Sequence, residues 1–402
     1  MKYDAIIVGA SIAGLYTGMK LSQSGWTVAI FDRRKEIGMP VRCGEATGSR
    51  EELSRFVKVT DDMIACEVKG MKIYCRDFSP FRIEMPGRSV ILHRDRLEKT
   101  LAAIAQTSGA RIFLQTSVIG LQGGLEGGYN GVITDACGVV EGRYIIGADG
   151  CESKVGQWAG ITGFLKPGEA FTSVQYLLQT QRYHDGYLHF FAGPEYIPSG
   201  YMWVFPKTSG RVLVGAGLYG FRPQGKRASD YLNRFIEIQF PGAVRLDCIT
   251  GCVPLAVCPK RLHRANVVVV GDAARQANPL TAGGIMNTFE AADCLVQTLV
   301  PGRSPAHYVP GLNAYSRKWA KQRFNQKVFY FVKEVFLGMS AQRLTAAVSK
   351  VQKAARGRSI SNKPFSFSLP LLLRLGLIIG PELIAHVRRA RPATDTGAAR
   401  AF

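Results

Sequence analysis

The chain has 402 residues, 47% of them hydrophobic and 20% charged, which is length for two or three domains and apolar content for buried cores, and excludes a disordered chain. Its 51 Lys and Arg against 30 Asp and Glu leave a net charge of +21. The excess is concentrated at one end, since residues 317–402 hold 17 basic and 3 acidic residues, so it points to a local partner rather than to a uniformly basic binding protein. No nucleic-acid reading motif accompanies it, and no nucleic-acid partner is expected. The nine cysteines, an odd number without metal-ligand spacing, suit a reducing compartment. Asp4 stands where an export signal would be basic, so the expected location is cytoplasmic.

In chain order, Tyr3 to Val8 reads as a buried parallel strand, Gly9 to Gly14 as a turn, Leu15 to Ser24 as a helix and Thr27 to Phe31 as a second strand, one βαβ unit at the very start. Leu97 to Ser108 has helical spacing and leads into a strand at Arg111 to Leu114. Arg143 to Ile146 and Asn266 to Val270 are further apolar strands, each ending in a glycine and an acid. These pieces make one sheet from distant segments. Between them, Phe171 to Gln179, Tyr187 to Phe191, Tyr201 to Phe205 and Arg211 to Leu218 are aromatic and β-branched runs that predict an antiparallel second domain. From Ala291 the pattern is helical, through Tyr315 to Lys353, and the basic end beyond Arg388 is assigned no structure.

The first turn carries Gly9-Ala10-Ser11-Ile12-Ala13-Gly14, with Asp32 closing the second strand and Arg33 after it. A helix N-terminus offers free N–H groups and a dipole that favour a pyrophosphate, and the acid accepts from a ribose hydroxyl. Ser11 replaces a glycine of the usual pattern; a tight βα turn without ligand is the alternative. Two later pieces point to FAD rather than NAD. Gly147-Ala148-Asp149-Gly150 follows one strand, and Gly271-Asp272 follows another, with Pro279, Gly283, Gly284 and Ile285 at a glycine-rich helix start. An acid aimed at a sugar chain and a helix start aimed at an electron-poor ring serve a flavin along its length. Taken singly, each Gly-Asp also reads as a helix cap.

The early glycine turn, the Arg94 to Leu97 segment, Gly147 to Gly150 and the late Gly-Asp with Asn278-Pro279-Leu280-Thr281-Ala282-Gly283-Gly284 resemble the flavoprotein group that includes para-hydroxybenzoate hydroxylase. Within it, Arg34 to Glu45 and Pro198-Ser199-Gly200-Tyr201-Met202-Trp203-Val204-Phe205-Pro206 resemble the geranylgeranyl reductases, over roughly residues 1–300. The resemblance implies hydride transfer from reduced flavin N5 to the double bonds of a geranylgeranyl chain carried on a lipid, a quinone, a chlorophyll precursor or a diphosphate. The implied electron donor is NADPH, NADH or ferredoxin, visiting transiently because no second glycine fingerprint is visible. An aromatic monooxygenase or halogenase is the alternative, although Tyr201 and Phe205 break the halogenase pattern; a non-redox cyclase-like flavoprotein is a third.

By the period of two, Tyr201, Trp203 and Phe205 share one strand face while Met202 and Val204 share the other, so with Pro206 they are candidates for substrate contact; ordinary sheet packing is the alternative. Cys43, with Arg42 and Gly44 beside it, is a candidate for the flavin site, and Cys43 or Tyr201 for proton donation. Glu45 has the competing role of pairing with Arg42. Arg94 begins a helix and can meet the flavin, with Arg96 as its rival. The six histidines show no ligand spacing, and no metal is assigned.

The expected fold is therefore α/β with α+β: a Rossmann-type FAD domain of discontinuous segments (1–65, 88–165 and 262–310), an antiparallel substrate domain (66–87 and 166–261) and a helical, basic C-terminal region (311–402). Pro364 to Val387 mixes apolar residues with Arg374, and Arg388, Arg389 and Arg391 follow, a composition that suits peripheral contact with an anionic membrane or a helix pair closing the pocket. Its longest apolar run, Leu369 to Gly380, is too short to span a bilayer, which takes ~20 residues.

Overall fold

The computed structural model describes residues 2–75, 80–124, 128–220, 225–299 and 308–337. β1 (Lys2–Val8) has Ala5, Ile6 and Ile7 fully buried, so both of its faces are apolar, as a central parallel strand requires. Gly9 then turns the chain at φ +105°, α1 (Ile12–Gln23) packs back on the sheet, and β2 (Val28–Phe31) pairs parallel to β1. The predicted βαβ unit is present.

The chain next crosses to a second sheet through β3 (Ala46–Ser49), α2 (Arg50–Ser54), β4 (Ile64–Tyr74) and β5 (Phe81–Leu92). It returns through α3 (Arg94–Thr107) to β6 (Arg111–Phe113), the hairpin β7 (Val118–Gly124) and β8 (Gly128–Thr134), and β9 (Gly138–Gly147). After α4 (Lys154–Trp158) it crosses again to β10 (Ala170–Gln179), β11 (Tyr187–Gly193), β12 (Ile197–Lys207), β13 (Arg211–Tyr219), α5 (Ala228–Gln239) and β14 (Val244–Pro254). A fourth crossing leads to β15 (His263–Arg264) and β16 (Val267–Val269), followed by α6 (Ile285–Val296), α7 (Tyr308–Lys318) and α8 (Ala320–Leu337).

The first sheet has the order β15-β16-β9-β1-β2-β6, with the hairpin attached through β8 to β9. Its β16, β9, β1, β2 and β6 are parallel neighbours, so their C-terminal ends share one edge. The second has the order β14-β10-β13-β12-β11-β4-β5-β3 and is antiparallel except where β11 meets β4. It is wider than the segments 66–87 and 166–261 read from the sequence, because β3 and the ends of β4 and β5 join it. The α6 helix begins at Ile285, at the glycine-rich helix start read from the sequence. Residues 338–402, including the segment Pro364 to Val387 expected at the membrane, lie outside the described residues.

On the second sheet, Met202 and Val204 pack with Leu232, Phe235 and Ile236 of α5, while Trp203 and Phe205 fall in a separate cluster with Phe171, Leu213 and Tyr219, against which Tyr201 packs. The period-two division of β12 therefore holds. Trp203 lies over its neighbour on β13 because that neighbour is Gly215, where a Cβ would stand 2.1 Å from the indole Cζ2. Gly215→Ala is expected to lower stability by about 1–3 kcal/mol through overpacking, read from the urea unfolding midpoint of the full chain.

Candidate functional site

The site forms where the C-terminal ends of the parallel strands meet the Tyr201 face of the second sheet. Gly9 abuts the end of β9, and a Cβ there would stand 2.3 Å from the Ala148 carbonyl oxygen. Gly14 faces the same turn, where a Cβ would meet the Gly9 oxygen at 1.8 Å. Gly271, at φ +70°, brings the late Gly-Asp against the start of α1, since its Cβ would lie 3.0 Å from that of Ala13.

Asp32 is buried and accepts four hydrogen bonds: from the Ala10 amide at 2.6 Å, the Arg34 amide at 2.8 Å, and the Arg34 Nε and Nη2 at 3.0 Å each. Burial pushes its carboxyl up, but these donors outweigh burial and hold it below the ordinary range. Arg33, read as the cofactor residue, is exposed. Its neighbour Arg34 fills the inward position and reaches on to the Ala10 oxygen at 2.7 Å and to Glu98 at 3.5 Å.

Glu98 is 2% exposed and binds Arg94, whose Nε donates to it at 2.9 Å. The Ser11 hydroxyl donates to Glu98 at 2.7 Å and accepts from Arg94 Nη2 at 2.7 Å. Ser11 is therefore turned away from its own helix, and no side chain caps α1. Arg96, the rival of Arg94, points outward to the Asp62 carbonyl oxygen at 3.2 Å. Burial works against the Arg94 guanidinium but the Glu98 carboxylate raises it, and burial pushes the Asp272 carboxyl above the ordinary range while Arg94 pulls it down. Turn, late acid and cysteine loop thus share one guanidinium.

Cys43 lies beside Arg94, and its sulfur accepts from the Glu45 amide at 3.2 Å. Its carbonyl accepts from Gln175 Nε2 at 3.0 Å, and Gln175 in turn accepts from the Trp203 indole at 2.9 Å. Gly44 lies on the aromatic face, where a Cβ would come 3.1 Å from Phe205 and 3.7 Å from the Trp203 nitrogen. Arg42 is exposed, and Glu45 pairs not with it but with Lys207, at 2.6 Å, while also accepting from the Arg94 amide at 3.0 Å. Burial leaves the Glu45 carboxyl above its usual range despite the Lys207 ammonium.

The Tyr201 hydroxyl donates to the Thr281 oxygen at 3.2 Å, and burial raises its ionisation far above the ordinary phenol. Pro206 accepts from the Cys66 thiol at 3.1 Å. Asn278 shapes the late loop by accepting from the Leu280 and Thr281 amides, with Pro279 buried beside it. Gly284 is the N-cap of α6, again without a side-chain cap, and Asp272 approaches it, with Oδ1 3.6 Å from where its Cβ would be. Asp149 accepts from the Ser153 hydroxyl at 2.6 Å and the Val155 amide at 3.0 Å, beside the start of α4, whose N-cap is Ser153. Cys151 and Cys252 hydrogen-bond close to Asp272; that bond pushes the Cys151 thiol up and draws that of Cys252 down.

Two twelve-residue helices with uncapped starts at one sheet edge fit the phosphate and ring ends of a flavin dinucleotide, and the Gly9–Gly14 turn fits the close approach of its pyrophosphate. Arg34 and Lys207 were not among the residues singled out from the sequence; the signal for Arg34 lay in its place next to Arg33, three residues past the end of β2. Among the described residues, no three His, Cys, Asp or Glu cluster as a metal would need.

A family model described as the geranylgeranyl reductase catalytic domain matches residues 169–253, and one described as an FAD binding domain matches residues 2–199. The digeranylgeranylglycerophospholipid reductase of Methanothrix thermoacetophila is 34% identical over 400 residues, covering 96% of this chain and 99% of its own. The protein of the same name from Methanosphaerula palustris is 32% identical over 417 residues, covering 98% and 99%. A geranylgeranyl bacteriochlorophyll reductase-like protein from Thermoplasma acidophilum superposes with a TM-score of 0.81 at 25% identity, covering 96% of this chain and 99% of that one. A flavin-dependent brominase superposes at 0.70 with 12% identity over 97% of this chain and 100% of its own, a likeness of fold alone.

The Asp32–Arg34 pair gives a pH prediction. Asp32 titrates below its unfolded value of about 3.9, so the stability it contributes is present above that value and lost as pH falls through the lower, folded one. Between neutral pH and that window, Asp32→Asn is expected to be less stable than wild type, with the gap closing on acidification, as read from urea midpoints. An unchanging gap would remove the pair from this account.

Proposed function

The chain belongs to the geranylgeranyl reductase family, and from that premise we propose that its substrate is a glycerophospholipid bearing geranylgeranyl chains, reduced at the Tyr201–Trp203–Phe205 face. It is an FAD-dependent oxidoreductase that saturates carbon–carbon double bonds of an isoprenoid chain. When bound, FAD supplies the hydride from its reduced N5. The substrate choice is supported by the names of the two archaeal relatives. A quinone, a chlorophyll precursor or a diphosphate as carrier is an outcome of the test below.

The observation that carries the assignment of residues is the packing of the Cys43–Gly44 loop on Trp203 and Phe205. An alkene has no charge to grip, so binding rests on apolar area, and the rings hold the chain flat and dry beside the loop. Gln175, bound to Trp203 and to the Cys43 carbonyl, keeps wall and loop in register. Cys43 Sγ donates the proton that completes addition; the Glu45 amide and Arg94 stabilise the negative charge left on sulfur. Tyr201 is the poorer acid, because its hydroxyl is buried and already donates to Thr281, and it positions the late loop instead. Gly9, Ser11, Ala13 and Gly14 would hold the pyrophosphate, and Gly44, Gly271, Asp272, Pro279, Gly283, Gly284 and Ile285 the ring, with Asp32, Arg42 and Asp149 shaping the surroundings. The electron donor, whether NADPH, NADH or ferredoxin, visits from solution.

Cys43→Ala is expected to keep flavin absorbance near ~450 nm while lowering turnover of a geranylgeranyl phospholipid by about 10²–10⁴-fold, and Tyr201→Phe to cost far less. Mass spectrometry of product formed by the reduced enzyme without oxygen counts the hydrogen pairs added. Turnover only in air, with oxygen or halogen in the product, would establish the monooxygenase reading in its place.

The 17 basic against 3 acidic residues of 317–402 support peripheral attachment to an anionic membrane on its cytoplasmic side. No helix among the described residues is long and apolar enough to cross a membrane. The full chain should float with anionic vesicles and a chain ending at Ser361 should not; equal flotation of the two rejects attachment through this segment.

A further inference from the structure

A cavity of about 370 Å³ lies on the outer edge of the first sheet, away from the residues assigned to flavin and substrate. Its walls are Gly160 and Ile161, which follow α4, and Pro259, Lys260, Arg261, His263 and Arg264, which lead into and form β15. No carboxylate lines it. Lys260, Arg261 and Arg264 are exposed, and no ion pair or hydrogen bond is made by any of their three side chains among the described residues. Three cations within five residues repel one another across a shared concavity unless an anion sits between them.

Two features go beyond surface charge. Gly160, at φ +65°, leaves room for the Arg264 guanidinium: a Cβ there would stand 2.6 Å from Nη1. His263 is only 4% exposed, and its Nε2 hydrogen-bonds with Asn313 Oδ1 at 3.0 Å, while Nδ1 is buried with no partner. A buried ring nitrogen left unpaired costs free energy that a ligand restores. With Nε2 donating to Asn313, neutral Nδ1 accepts from an acidic hydroxyl; protonated, it donates to an oxyanion.

We propose that this cavity binds the phosphate of a phosphate monoester. Guanidinium forks match the spacing of phosphate oxygens, Lys260 adds a point charge, and His263 Nδ1 takes the hydroxyl of a monoanionic phosphate. The volume, toward the small end of ligand pockets at about 300–1,000 Å³, leaves space for a short ester arm beside the phosphate. A lipid headgroup and a soluble ester carry the same group. The inference does not rest on the reductase reading.

The full chain with FAD bound is titrated calorimetrically at low ionic strength with inorganic phosphate and with glycerol phosphate, and by flotation with phosphatidylcholine vesicles with and without phosphatidic acid. Expected is saturable binding, one per chain, weakened about tenfold or more in Arg261→Gln and in Arg264→Gln, and not displaced by equal chloride. Tighter binding of glycerol phosphate than of inorganic phosphate supports a soluble ester. Vesicle binding that needs phosphatidic acid and falls in both variants supports a headgroup. Absence of saturable binding in every arm, affinity in both variants unchanged from that of the parent chain, or displacement by chloride overturns the proposal. Flavin absorbance and the thermal midpoint check that the variants fold, with Lys260→Gln as the substitute for one that does not. Reductase turnover is expected to persist in all of them, so failure here leaves the function above untouched.

Discussion

An alternating line of charge, its acids buried and its bases half-buried, joins the two halves of this protein: Asp32, Arg34, Glu98, Arg94, Glu45 and Lys207. Its links are Arg34 to Asp32 at 3.0 Å and to Glu98 at 3.5 Å, Arg94 to Glu98 at 2.8 Å, the Arg94 amide to Glu45 at 3.0 Å, and Glu45 to Lys207 at 2.6 Å. Three acids and three bases alternate, so no member is buried without an opposite neighbour. Taking such groups out of water costs several kcal/mol per ion and is repaid only in good geometry, so the arrangement contributes specificity more than net stability. It begins at the glycine turn, passes under α1, reaches the cysteine loop and ends on β12, which fixes the distance between turn and aromatic wall.

What the residues disclosed before any coordinates follows from how local each signal is. The first βαβ unit was legible because turn, helix and strand lie within the first 32 residues and β1 is apolar on both faces. The aromatic face of β12 was legible because side chains alternate along any strand. The strands β3, β4, β5 and β14 were not foreseen: β14 shows its first five residues to solvent, and β4 mixes Lys and Glu with apolar residues, so neither carries a clean hydrophobic period.

The site was read less fully, for a different reason. Whether Arg33 or Arg34, Arg94 or Arg96, turns inward depends on the acid waiting in the core, and Glu98 is such an acid only once α3 has packed on α1. Asp149 looks the same in sequence whether it faces a sugar or its own helix; in the fold its carboxylate meets the Ser153 hydroxyl at 2.6 Å and the Val155 amide at 3.0 Å, contacts that no local pattern announces.

The four crossings of the chain between the sheets limit how this molecule can move. Two lobes joined by a single linker swing apart on a hinge; here any swing strains four covalent straps together with the Glu45–Lys207 ion pair. Motion of one sheet against the other is therefore confined to what four tethers allow together, unlike the free hinge of a single linker.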